Sequence, residues 1–109
     1  MTPLALALAA LAELAWLLDL STTIDGLRHG DAETNVFLPK HPSIARTCAT
    51  TLALMAGTVG IGLLLAPPCR PLWFVLVAFN EASAVVSNWR LGARPAWPWT
   101  DRLPPAAAP

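Results

Sequence analysis

The stretch that decides the fold is residues 47–69, which read TCATTLALMAGTVGIGLLLAPPC and contain no charged side chain. At about 1.5 Å of rise per residue, a helix of this length extends roughly 34 Å. The hydrocarbon core of a bilayer is about 30 Å thick. The stretch therefore predicts a helix that crosses a membrane.

The composition of the whole chain agrees with a membrane protein. Its 109 residues are 55% hydrophobic and 13% charged, and the formal net charge is zero. A typical soluble domain is about 25% charged. The apolar content excludes disorder for the body of the chain, and seven basic residues balanced by seven acidic ones give no reason to expect a nucleic-acid partner.

Two further apolar runs flank the first, residues 3–18 and 71–89, and each is interrupted by one glutamate, Glu13 or Glu81. Prolines 67, 68 and 71 leave only a short link between the second and third runs, so these two helices must be antiparallel. We predict an all-α integral membrane protein with three transmembrane helices. The transmembrane domain covers 1–91, with spans at about 3–25, 44–66 and 71–91 and a cytoplasmic loop at 26–43. An interfacial tail rich in Trp and Pro, 92–109, follows and ends in a disordered segment.

The distribution of basic residues predicts the orientation. Arg70 is the only one expected on the side of the N-terminus. The other side has six, counting one at a span edge: Arg28, Lys40, Arg46, Arg90, Arg94 and Arg102. The positive-inside rule places the N-terminus outside and the C-terminus in the cytoplasm, as in a multi-pass protein of the bacterial inner membrane. No basic residue precedes Arg28, which argues against a cleavable signal peptide.

Polar residues inside apolar helices mark candidate sites, because a central charge costs about 3 kcal/mol on insertion. On helical wheels, Asp19 and Thr23 lie one turn apart, close in depth to Asn88 of the third span. Together with two loop residues they form a predicted polar cluster, either ligand-binding or structural: Asp19, Thr23, Glu33, Asn35 and Asn88. Glu13 and Glu81 lie near the midplane, where they either share a proton or each hydrogen-bond a neighbouring helix.

The same residues resemble DUF5658, a family of small uncharacterised prokaryotic membrane proteins. Its pattern has Asp-x-x-x-Thr at a helix end, Glu-x-Asn-Pro in a loop and Asn late in the last helix. Here the matching residues are Asp19, Thr23, Glu33, Asn35 and Asn88, and the resemblance covers most of residues 14–91. Val36 stands where the family favours proline. The resemblance implies no activity, but it points to the same polar positions.

Three functions remain open. The first is a non-enzymatic subunit or oligomeric assembly element, in which polar and small-residue helix faces pack against further copies or a larger membrane complex. The second is a membrane-embedded polar site on the cytoplasmic side that binds an ion, a proton or a lipid headgroup. The third is a holin-like pore former.

Enzymatic activity is not expected, because no nucleophile lies beside a base in the helices, and no catalytic residue is assigned. His29 and His41 lie in the loop, 12 residues apart, a spacing that is not indicative of a metal site. No cofactor can be named from the sequence. The expected partners are the lipid bilayer and other copies of the chain or a larger complex.

Overall fold

The computed structural model of the protein describes residues 1–30 and 41–100. These residues form three long α-helices, α1 (Pro3–Arg28), α2 (Ile44–Leu64) and α3 (Arg70–Arg90), with a short 3-10 helix at Pro67–Cys69. Each long helix is long and apolar enough to cross a membrane, which confirms the prediction of an all-helical chain with three such segments. Most of the predicted loop, including Glu33 and Asn35, and the predicted disordered end lie outside the described residues.

Glycines end two of the helices. α1 runs to Arg28, one turn beyond the predicted end near residue 25, because Gly26 is accommodated inside the helix. The turn that follows contains Gly30 at φ +86°, and the turn after α3 contains Gly92 at φ +94°. Both values lie in the left-handed region that side chains other than glycine rarely adopt. Gly30 and Gly92 therefore follow the ends of α1 and α3, whereas Gly26 lies inside α1.

α1 packs most extensively against α3. The stripe of small residues on α1 is buried there, and Ala9 and Ala12 form one cluster with Phe74 and Ala78 of α3. Small side chains let helix backbones approach closely. In the assembly hypothesis, small residues of α1 would face other copies of the chain. Ala9 and Ala12 instead pack against α3 within one protomer.

Near the link between them, α2 and α3 meet at a glycine. Phe74 of α3 is fully buried, and its ring occupies the space that a side chain at Gly62 would need. Arg70 secures the same end, because its Nε donates to the carbonyl oxygens of Gly62 at 3.0 Å and Leu65 at 3.2 Å. A cation at the last carbonyls of a helix also favours the helix dipole.

After α3 the chain folds back onto the C-terminal turns of α1. The Arg94 N–H donates to Asp25 Oδ2 at 2.7 Å, and the Ala96 N–H donates to the carbonyl of Ser21 at 3.1 Å. Arg28 adds a bond from its Nη2 to the carbonyl of Pro98 at 3.0 Å. The sequence assigns no role to Asp25. In the structure Asp25 accepts one of the three hydrogen bonds that hold this segment against α1.

Replacing Asp25 by alanine is expected to release the Arg94 N–H from α1, while the bond from Ala96 to the Ser21 carbonyl remains. A hydrogen bond to a charged group contributes about 1.5–3 kcal/mol, so amide hydrogen exchange at Arg94 should accelerate roughly 30-fold. The measurement is residue-resolved exchange in detergent. Asp25→Asn, which keeps an acceptor oxygen, should show a smaller increase, and unchanged protection at Arg94 in Asp25→Ala would contradict the assignment.

Candidate functional site

A groove runs between α2 and α3, with α1 as its floor. Its volume is about 750 Å³, within the usual range for pockets that hold small molecules. Polar side chains from all three helices line it: Asp19, Thr23, Thr47, Thr51, Thr58, Asn80, Glu81, Ser87 and Asn88. Polar groups from all three helices therefore converge on one groove among the described residues.

Asn88 joins α3 to α1 at one end of the groove. Its Nδ2 donates to Thr22 Oγ1 at 2.8 Å and to Asp19 Oδ1 at 3.2 Å. Thr23 Oγ1 lies 3.5 Å from the same carboxylate oxygen, a long contact. Three predicted site residues, Asp19, Thr23 and Asn88, are thus brought together. Thr22 was not predicted from the sequence, although its position one turn after Asp19 could have indicated it.

Glu81 is the most deeply buried carboxyl group of the groove, with 4% of the residue exposed. Its Oε1 accepts a hydrogen bond from Asn80 Nδ2 at 3.2 Å. Its Oε2 is buried and has no hydrogen-bond partner among the described residues. The carboxyl groups of Glu81 and Asp19 are close enough to share a hydrogen bond when one of them holds a proton, and they interact electrostatically. Within this groove, the two acidic side chains that meet are therefore Asp19 and Glu81.

Glu13 does not line the groove. Its Oε1 is buried and, over the described residues, has no hydrogen-bond partner. The side of α1 that faces α3 is formed by alanines such as Ala9 and Ala12, and Glu13 projects about 100° away from Ala12. Glu13 and Glu81 are expected at a similar depth in the membrane, but only Glu81 lies in the groove.

Two tryptophans of the groove are fixed by one threonine. Trp16 Nε1 donates to Thr58 Oγ1 at 3.0 Å, and Trp73 Nε1 donates to the Thr58 carbonyl at 2.9 Å. The Thr58 hydroxyl in turn donates to the Leu54 carbonyl at 2.9 Å. Both indole N–H groups are satisfied, so the orientation of both rings is set by α2.

Replacing Thr58 by valine, which has nearly the same shape, should remove only the bond from Trp16. The Trp73 bond goes to the backbone and should remain. We expect a loss of about 1 kcal/mol in the free energy of unfolding and an upfield shift of the Trp16 indole N–H resonance. The Trp73 resonance is the internal control; if both resonances or neither changed, the arrangement at Thr58 would be wrong.

The two histidines lie away from the groove. His29 Nδ1 is 2.7 Å from the carbonyl oxygen of Asp25, at the end of α1, and His41 is exposed. Neither lines the groove.

Comparisons of the chain with protein-family models, with curated proteins and with solved structures found no match. The carboxyl, amide and hydroxyl oxygens of the groove are acceptors for a cation or a proton, and no lysine, arginine or histidine lines the groove among the described residues.

Proposed function

We propose that this protein is a small multi-pass membrane protein that binds a cation or a proton at a polar site within one protomer. The observation that carries the proposal is Glu81, which is almost completely buried beside Asp19 and has one carboxyl oxygen without a hydrogen-bond partner among the described residues. Such a buried carboxyl pair favours an embedded site over an assembly element.

The electrostatics of two neighbouring carboxyl groups support this site. A carboxylate in a bilayer costs about 3 kcal/mol, and a second one in contact adds repulsion. A shared proton or a bound cation relieves both costs. Asn88 supports the pair, because its amide donates to Asp19 and Thr22 and thereby holds one carboxyl group in place.

The distribution of basic residues supports an N-terminus outside and a C-terminus in the cytoplasm of a bacterial cell, with the chain in the inner membrane. In that orientation Asp19 and Asn88 lie in the cytoplasmic half of the helices. Membership of DUF5658 stays a prediction that draws on Asp19, Thr23 and Asn88.

Thermal unfolding of the purified protein in detergent tests the site. A cation at 100 times its dissociation constant should stabilise the protein by about 2.7 kcal/mol. We would titrate Na⁺, K⁺ and tetramethylammonium as chlorides, and follow the pH dependence of stability to detect a proton. Glu81→Gln and Asp19→Asn should lose both responses. Glu13→Gln, which alters a carboxyl group outside the groove, should keep the response to cations. Equal responses in all variants would reject the site.

A second candidate is the assembly element, and it is favoured by exposed polar residues of α3. Ser83, which does not line the groove, is exposed together with Asn80 and Ser87 of the groove lining, where a lipid-facing helix would ordinarily be apolar. The Ser83 hydroxyl donates to the Phe79 carbonyl at 2.8 Å and Asn80 donates to Glu81 at 3.2 Å, so a partner would cover side chains that already have hydrogen bonds within α3. Mass measurement in detergent at native expression should show an oligomer or a bound partner, and a clean monomer would exclude this candidate.

A further inference from the structure

We infer that the ligand of this site is an amphiphilic ammonium compound, in which a positively charged amine is joined to an apolar chain or ring. The inference rests on the proposed function, because it names the class of cation that the Asp19–Glu81 pair receives. Charge, size and the position of the two indole rings each support it.

The charge of the groove selects a cation over an anion. Asp19 and Glu81 both line it, and in the part of the chain that the structure describes no basic residue does. Glu81 Oε2 is buried and has no hydrogen-bond partner among those residues. An ammonium group, which has several N–H donors or a diffuse positive charge, would satisfy this oxygen and reduce the repulsion between the two carboxyl groups.

The size and lining of the groove select a large ligand over a bare ion. One ion needs about the space of a water molecule, roughly 30 Å³, whereas the groove measures about 750 Å³. Beyond the carboxyl pair, its walls include Leu54, Ile61 and Leu76. An apolar body attached to the ammonium group would cover these walls, gaining about 25 cal/mol for each Å² of apolar surface buried.

Two indole rings line the groove, and along their helices both precede the acidic residue, Trp16 before Asp19 and Trp73 before Glu81. Thr58 fixes both rings. The faces of aromatic rings attract ammonium groups, most strongly where water is excluded. Ala53 and Leu76 at the rim are exposed, so the groove opens between α2 and α3, on the side from which a lipid-dissolved molecule would enter.

Photolabelling tests the inference with the full chain in nanodiscs. The probe is a dodecylamine with a diazirine in its alkyl chain, and labelled residues are mapped by mass spectrometry. We expect labels on α2 and α3 residues of the groove, such as Ile61 and Leu76. Glu81→Gln should reduce labelling about tenfold, the effect of losing one bond to a charged group, while Glu13→Gln should leave it unchanged.

A measurement on the unaltered chain keeps the test valid if Glu81→Gln fails to fold. Excess dodecylamine should abolish labelling, and excess dodecanol, which has the same chain without the charge, should not. Equal competition by the alcohol, or full labelling of a folded Glu81→Gln variant, would overturn the inference. If Na⁺ or a proton still stabilised the protein through Asp19 and Glu81 while the amine failed to label the groove, the proposed function would stand and this inference would fall.

The ammonium group could come from a phospholipid headgroup or from a free amine. Nanodiscs of phosphatidylethanolamine and of phosphatidylglycerol distinguish these sources at equal membrane-bound concentrations of the probe. Weaker labelling in phosphatidylethanolamine identifies the lipid headgroup as the competing ligand. Equal labelling identifies a free amphiphilic amine.

Discussion

Gly62→Val is expected to destabilise the protein by about 3 kcal/mol, near the upper end of the usual cost of overpacking a core. A Cβ atom at Gly62 would overlap the ring of Phe74. That ring is fully buried, so it has no open space into which it can rotate. Two further methyl groups would enlarge the overlap. The helices α2 and α3 would have to separate near their link, and an unfolding titration in mixed micelles measures the loss.

Gly60→Val is the matched control, because it lies in the same helix two residues away. Nothing lies within 4 Å of a Cβ built at Gly60, and valine is a slightly better helix former than glycine. We expect a change of less than about 0.5 kcal/mol. Equal losses for Gly60→Val and Gly62→Val would show that valine is harmful anywhere in α2, and that the close approach of Phe74 is not the cause.

Asn88→Ala is expected to cost about 2 kcal/mol. The variant removes both bonds from Nδ2, to Thr22 Oγ1 and to Asp19 Oδ1. Hydrogen bonds between membrane helices average about 0.6 kcal/mol and reach about 1.7. The bond to the carboxyl group should lie near the upper value, because an ionised acceptor strengthens it. The same unfolding titration in mixed micelles measures the effect.

A double-mutant cycle separates the two bonds of Asn88. Thr22→Val combined with Asn88→Ala should give a coupling energy of about 0.6–1.7 kcal/mol. Ser83→Ala, an exposed position on α3 whose hydroxyl bonds to its own helix, is the control and should change stability by less than about 0.5 kcal/mol. A coupling energy of zero would mean that Asn88 and Thr22 do not interact in the folded protein.

Part of the site was predictable from the sequence, because polar groups inside apolar helices must find partners. Asp19 and Asn88 stand out as costly residues at matching depths, and they are bonded to each other. Thr22 and Thr23 both lie about one turn from Asp19, so the choice between them depends on the rotation of α1. Thr22 makes the shorter bond, to Asn88.

The pairing of Glu81 with Asp19 was not predictable from the sequence, because it also depends on the rotation of α1. Glu13 and Asp19 are both on α1, and depth alone favours Glu13 as the neighbour of Glu81. The alanines of α1 decide otherwise, because they allow the closest approach of α3 and so fix which side of α1 faces it. Asp25 was missed because its partner is a backbone N–H group of Arg94, and no side-chain pattern indicates such a bond.

The sequence by itself determined three apolar helices and the short link between the second and the third, since run length and proline act locally. The tertiary structure alone decided which faces meet: Phe74 against Gly62, Asp19 beside Glu81, and the tail against Asp25. A helix that is apolar on nearly every side has no strong preference for one buried face. Close packing of small and large side chains, together with a few hydrogen bonds, therefore sets the arrangement.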